Sequence, residues 1–381
     1  MDTDHPIYLD YNATTPALPE VVEAMLPYLR EHAGNPSSSH IFGCRARAAV
    51  DGAREQVAAL LGCASEEILF TSAGTEANNV AKRGVTELSA KRGQVMTSII
   101  EHPATSAPCS WLERHSWRAS RLQAGRDGRV GLEQLTDWNR AETTLMTVMH
   151  SNNEIGVLLP IAAIATAAHA AGALVHTDAA QSVGKIRVDV RALDVDLLSV
   201  AGHKLYAPKG VGALYVRRGT PLAPFTLGAG HERGLRPGTE NVAGIAGLGA
   251  ACDAARRSLD PAGARMSALR DRLWTLLIGH VPGLTLNGHV EDRLPNTLNV
   301  CFPQVSGTSL LAATPKVAAS TGSACHDGNV APSSVLLAMG VPAAEATGSV
   351  RLSLGRPTTD EEIECAADAL WRAWSELSGR G

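Results

Sequence analysis

The sequence predicts an α/β fold: a mostly parallel central sheet covered by helices, followed by a smaller α+β C-terminal domain. Three observations carry that expectation. Short β-rich runs at residues 67–71, 94–99, 144–150, 173–176, 195–200 and 211–216 recur with helical patterns between most of them, an alternation that specifies helix-covered parallel strands. At 381 residues the chain is long enough for two domains. A shift to Asp, Pro and Arg at residues 256–264 separates this region from a final third with a strand at 297–302 and a closing helix at 359–377. The expected division is a large domain over residues 16–258 and a small domain made of residues 1–15 and 259–381.

YLDYNATTP (residues 8–16) reads as a short extended piece and a turn, and the first helix enters at Pro19, where a missing N–H costs nothing. GNPSSSH (34–40) is a polar loop. The next helix sets Val50, Val57, Leu60 and Leu61 on one face and stops at Gly62. Residues 155–175 carry no Asp, Glu, Lys or Arg, but Pro160, His169 and Gly172 interrupt them. The Ala-rich part, 161–171, therefore reads as a helix feeding the strand at 173–176 rather than as a membrane span. DVDLLSVAGHKLYAPKGVGALYVR (194–217) reads as strand, turn, strand, with Lys204 in the turn.

A net charge of −4, with both signs interspersed, gives no sign of a nucleic-acid groove or a polybasic membrane patch, so a small-molecule site is expected. Seven scattered cysteines without a C-x-x-C pair argue against a disulfide framework and a zinc knuckle, and no metal site is expected. The acidic start MDTDHPIYLDYN has no basic or apolar leader region, and the expected location is the cytoplasm.

Several residues carry chemistry. A lysine pinned between two strands is partly desolvated, which lowers its pKa and frees its amine for a Schiff base with an aldehyde cofactor, so Lys204 is a candidate pyridoxal phosphate lysine; a solvated loop lysine is the plain alternative. In EILFTSAGTEANNV (67–80) a strand breaks at small residues and becomes a helix, whose free N–H groups and Thr75 hydroxyl form an anion site, unless it is an ordinary capped helix. Asp178, past the end of a buried strand in ALVHTDAAQSVG, is placed to keep a pyridine nitrogen protonated or simply to cap a helix; Gln181 is within reach of a cofactor ring oxygen. His102 in SIIEHPA is suited to stack on such a ring and move protons, and Asn152 and Asn153 in MHSNNEIG to bond a ring hydroxyl or a substrate carboxylate. Cys325 lies in AASTGSACHDG (318–328), a run of small, turn-prone residues that leaves a thiol exposed, whereas Cys63, Cys252 and Cys301 read as small buried hydrophobes. Arg351 in VRLSLGR offers a bidentate clamp for a carboxylate, or a surface ion pair.

Together these stretches resemble the cysteine desulfurases among the fold-type I pyridoxal phosphate enzymes, in particular the nitrogen-fixation and iron–sulfur-assembly group. YLDYNATTP, GNPSSSH, FTSAGTEANN, EHPA, NNEIG, HTDAAQSVGK, GHKLYAPKGVGALYVRRG, HERGLRPGTEN, LPNTLN, STGSAC and RLSLGR run in family order across nearly the whole chain. The resemblance implies that Lys204 binds the cofactor covalently, Asp178 faces its ring nitrogen, and Gly74, Thr75 and His203 hold its phosphate. It further implies that His102 stacks on the ring, that Asn153 and Gln181 flank it, and that Asn12, Asn153 and Arg351 meet the substrate. Thr239 would reach the phosphate of the other subunit of a homodimer. Cys325 would take sulfur from L-cysteine as a persulfide, leaving L-alanine, and pass it to an acceptor protein serving iron–sulfur assembly, tRNA thiolation or DNA sulfur modification. Selenocysteine lyase, a class-V aminotransferase and a non-catalytic docking scaffold of the same fold are the alternatives. Two departures stand out: Ala201 replaces a usual hydroxyl residue near the phosphate, and Pro315 and His326 bracket the cysteine segment unusually.

Overall fold

The computed structural model describes residues 6–89, 93–135, 142–322 and 331–379. A two-residue strand β1 (Ile7–Tyr8) precedes seven strands of one sheet: β2 (Ile68–Thr71), β3 (Gln94–Ser98), β4 (Arg118–Leu122), β5 (Thr143–Thr147), β6 (Leu174–Asp178), β7 (Leu197–Ala201) and β8 (Gly212–Val216). Their order is β2-β8-β7-β6-β5-β3-β4, parallel from β7 to β4, with β8 antiparallel to both of its neighbours.

Both faces of this sheet are covered, which is why its strands read as apolar runs rather than as alternating ones. Adjacent residues serve opposite cores: Phe70, Met96, Met146, Val175 and Leu198 pack into one, and Leu69, Val95, Leu145, Leu174 and Leu197 into or against the other. The first core takes the helices Ile41–Leu61 and Ile161–Ala170, and the second takes Gly74–Glu87. Gly62 closes the Ile41–Leu61 helix in the left-handed conformation at φ 72°.

A third core gathers β10 (Thr297–Cys301), which follows β9 (Thr285–Leu286), with β12 (Ser349–Ser353), β11 (Val317–Ala318) preceding it, and the closing helix Asp360–Leu377. β1 pairs with β11, and Leu9 belongs to this core. The expected break at residues 256–264 is instead the middle of one 39-residue helix, Val242–His280. Its first half contributes Ile245, Leu248 and Cys252 to the sheet core, and its second half contributes Leu269, Leu273 and Leu277 to the third core. Pro261 is tolerated there because the carbonyl it leaves without an N–H belongs to exposed Arg257, where water can serve it.

Candidate active site

The C-terminal ends of the parallel strands converge on a cavity of about 240 Å³ lined by Gly74, Thr75, Asn78, His102, Ser151, Asn153, Asp178, Gln181, Ala201, His203 and Lys204, among others. Lys204 ends a single 3-10 turn, Gly202–Lys204, that directly follows β7. The turn is held from outside: Thr15 donates its N–H and its hydroxyl to the His203 carbonyl, both at 2.9 Å, and the Leu205 N–H returns to Gly202. Tyr206 sits at φ 69°, a conformation unfavourable to a bulky residue, and is fixed by Thr15 Oγ1 accepting from its N–H and by its hydroxyl accepting from the Arg356 N–H at 2.7 Å. Burial brings the Lys204 ammonium down to about 8; nearby Asp178 and Asp10 oppose that shift and Arg351 adds to it.

Asp178 is the last residue of β6, one strand over, rather than a residue beyond it. Its Oδ2 accepts from Asn78 Nδ2 at 2.7 Å and its Oδ1 from the Ala180 N–H at 3.0 Å, so both oxygens are held in place. His102 caps the helix Pro103–Arg114 through Nδ1, which accepts from the Ala104 N–H at 3.1 Å. That bond leaves the proton of the neutral ring on Nε2. Burial and the neighbouring Lys204 hold the imidazole below its usual pKa, against the pull of Asp178. His203 is pushed down to about 4, chiefly by burial, and its Nδ1 meets Thr14 Oγ1 at 3.1 Å.

The helix Gly74–Glu87 begins at the cavity with no side-chain cap at Ala73, so its first N–H groups and its positive dipole end are available to an anion. Gly74 is closely packed: a Cβ there would come to 3.1 Å from the Ala201 Cβ. Ala201 lines the same end of the cavity and offers no hydroxyl.

Arg351 lies on β12 beside this cavity, with Nη1 donating to the Asn153 carbonyl at 3.0 Å and Nη2 to Asp10 Oδ1 at 2.6 Å, while its buried Nε has no partner. Asn12, expected at the substrate, is 1% exposed and fully engaged: its Nδ2 donates to Thr297 Oγ1, and its Oδ1 accepts from Lys185 and Asn296. Its observed work is internal. It joins the chain's first turn to β10 and, through its carbonyl, to Gln181 Nε2 at 2.9 Å.

Thr239 is not among the residues lining its own chain's lysine cavity. It is exposed, near Ser72, Gly210 and Arg236, on a loop that Arg236 ties to Glu76 at 2.8 Å. Cys325 and His326 lie outside the described residues. Before them, Ser320 exchanges backbone hydrogen bonds with Arg351, and a Cβ at Gly322 (φ +77°) would come to 2.9 Å from Glu154 Oε2; after them, Ser333 Oγ donates to the same Glu154 oxygen at 2.5 Å. Of the other cysteines, Cys109, Cys252 and Cys301 are buried, Cys63 is half-buried and pushed up to about 12, and Cys44 and Cys365 are exposed.

Sequence reasoning missed Asn78, Lys82, Lys185 and Glu154. Asn78, Lys185 and Glu154 stand inside stretches singled out above, but an asparagine in a helix, or a lysine after a glycine, reads as a surface residue until the fold is known.

Pyridoxal phosphate suits this donor set: an amine of lowered pKa for its aldehyde, a doubly supported carboxylate for its ring nitrogen, an uncapped helix end for its phosphate and a neutral imidazole beside them. Such a cavity at the strand ends of a mostly parallel sheet makes the chain a fold-type I pyridoxal phosphate enzyme. The family profile described as aminotransferase class-V matches residues 7–365, and the chain belongs to that family. It is 46% identical over 367 residues, 96% of this chain and 91% of the relative, to a protein of Enterobacter agglomerans named cysteine desulfurase. A solved structure titled NifS-like protein superposes with a TM-score of 0.92 at 34% identity, covering 98% of this chain and all of the other. Another, titled SspA in complex with cysteine, does so at 0.82 and 34% identity, covering 92% and 99%.

Proposed function

We infer that this chain is a cysteine desulfurase that converts L-cysteine to L-alanine and holds the removed sulfur as a persulfide on Cys325. The observation that carries this reading is the meeting of Lys204, Asp178 and His102 around one cavity with Arg351 beside it. When bound, pyridoxal phosphate supplies an electrophilic carbonyl and an electron-withdrawing ring. Gly74, Thr75 and His203 would hold its phosphate, Asp178 its ring nitrogen, Gln181 and Asn153 its edge.

Lys204 has the properties of the attacking and proton-carrying amine: part-buried, fixed by its turn, and with a pKa near 8, so that a useful fraction is free base at neutral pH. His102 Nε2–H is the second proton carrier, held in one tautomer by the Ala104 N–H. Arg351 binds the substrate carboxylate, which must compete with Asp10 for Nη2. The Cys325 thiolate attacks the substrate sulfur; the S–S bond forms as the C–S bond breaks, and the electron pair of the broken bond stays with the substrate carbon, which is then protonated.

The same reading extends to a homodimer in which Thr239 serves the partner's phosphate site, and to an acceptor protein that removes the persulfide sulfur. It also keeps the division into a large cofactor-binding domain and a small domain carrying Cys325, joined by the long helix. The test is product analysis: the purified, cofactor-loaded protein with L-cysteine and a thiol reductant should release alanine and sulfide in equal amounts. Alanine without sulfide, or neither product, would overturn the reading.

A further inference from the structure

Lys82, on the helix Gly74–Glu87, is among the largest fully buried side chains of the described residues, at 0% exposure, and no step above uses it. A buried lysine is costly unless its ammonium is matched. Here three oxygens surround Nζ: it donates to the Asn78 carbonyl at 3.4 Å, to Asn78 Oδ1 at 3.3 Å and to Thr105 Oγ1 at 3.4 Å. Three acceptors match the three N–H groups of an ammonium. The titratable groups facing it are Asp178, Glu101, Cys109 and His176; burial pulls its pKa down, and the first three oppose that.

Asn78 stands between Lys82 and Asp178, and a carboxamide has two orientations. With Oδ1 toward Lys82, Nδ2 faces Asp178 and donates to Oδ2 at 2.7 Å. In the flipped orientation the amide N–H groups would face an ammonium and its oxygen would face a carboxylate, and both contacts would repel. We propose that Lys82 is a positioning residue that fixes the polarity of Asn78 and thereby keeps an N–H donor on Asp178 Oδ2 that aims this side chain at the cofactor's ring nitrogen. This rests on the reading of Asp178 as the partner of that nitrogen.

The test compares dissociation constants for pyridoxal phosphate and for its 1-deaza analogue, which has CH in place of the ring nitrogen. The wild-type protein should prefer pyridoxal phosphate. Lys82→Met should lower that preference about tenfold, the scale of one lost hydrogen bond to a charged group, with little change in affinity for the analogue. If Lys82→Met fails to fold, Lys82→Gln, whose neutral amide can turn either its oxygen or its N–H toward Asn78 and so leaves the Asn78 orientation unfixed, should show the same loss of preference. A preference unchanged in the folded variant, with both constants rising together, would make Lys82 a packing residue and overturn the proposal. A wild-type protein without any preference would instead remove Asp178 from its role at the ring nitrogen, which is a failure of the functional reading and not of the Lys82–Asn78 link.

Discussion

Asp178→Asn should move two observables in opposite directions. Asp178 is the leading influence that holds the Lys204 pKa up against burial, and in wild type the balance stands at about 8. At pH 7 that leaves roughly one lysine in ten as free amine, against roughly one in three thousand at an unperturbed pKa of about 10.5. Removing the carboxylate should push the lysine below 8. The rate at which cofactor-free protein captures pyridoxal phosphate, followed by visible absorbance in stopped flow across pH 6–10, should then show a midpoint on the acid side of the wild-type one. Because a tenth of the lysine is already free at pH 7, the gain in capture there is bounded at about tenfold. Turnover should fall by about two to three orders of magnitude, the scale of losing one preorganised charge in a site. A capture midpoint at or above the wild-type value would refute the electrostatic coupling of Asp178 to Lys204.

Lys204→Ala should fold, as judged by circular dichroism, and form no borohydride-reducible cofactor adduct. Mixing Lys204→Ala chains with Thr239→Ala chains should yield hybrid dimers whose one intact lysine site is served by an intact partner Thr239; per working site their activity should exceed that of Thr239→Ala dimers about fivefold, the scale of about 1 kcal/mol for one hydrogen bond, and per dimer about half as much. Glu154, buried and raised to about 7 in the folded protein, adds stability as an acid that is full below its unfolded value of about 4.5 and lost as pH rises through 7. Glu154→Gln, which stays neutral, should therefore raise the melting temperature at pH 8 and leave it unchanged near pH 4.5, read by calorimetry at both values.

The sheet was legible because two-sided burial demands apolar strands, and Ile68–Thr71, Leu174–Asp178 and Leu197–Ala201 carry that signature with helical patterns between them. β4 was not, since RASRL at the sheet edge is polar and half-exposed and carries no such signal. The run at 256–264 carries the composition of a linker but not its conformation: a helix bridging two cores needs no apolar contacts at its middle, and there Asp260-Pro261 is tolerated inside the helix. At the site, Lys204, Asp178, His102 and the Gly74–Thr75 turn were readable because each lies at or just past a strand end, and strand ends are where a parallel sheet collects ligands. The buried network of Asn12, Lys82 and Lys185 was not, because it is set by contacts distant in sequence or by packing that no local pattern encodes: Lys185 meets Asn12, 173 positions earlier, and Asn12 reaches Thr297.

The most direct measurement is the position of the sulfur after a single exposure of the cofactor-loaded protein to L-cysteine without reductant. Digestion and mass spectrometry should find one added sulfur on the peptide containing Cys325, and Cys325→Ser should carry none while still changing the cofactor's absorbance on addition of L-cysteine. Cys109, Cys252 and Cys301 are buried and Cys63 is a poorly ionised thiol, so the exposed Cys44 and Cys365 are the competing carriers among the described cysteines. Sulfur found on either of these in place of Cys325 would contradict the assignment.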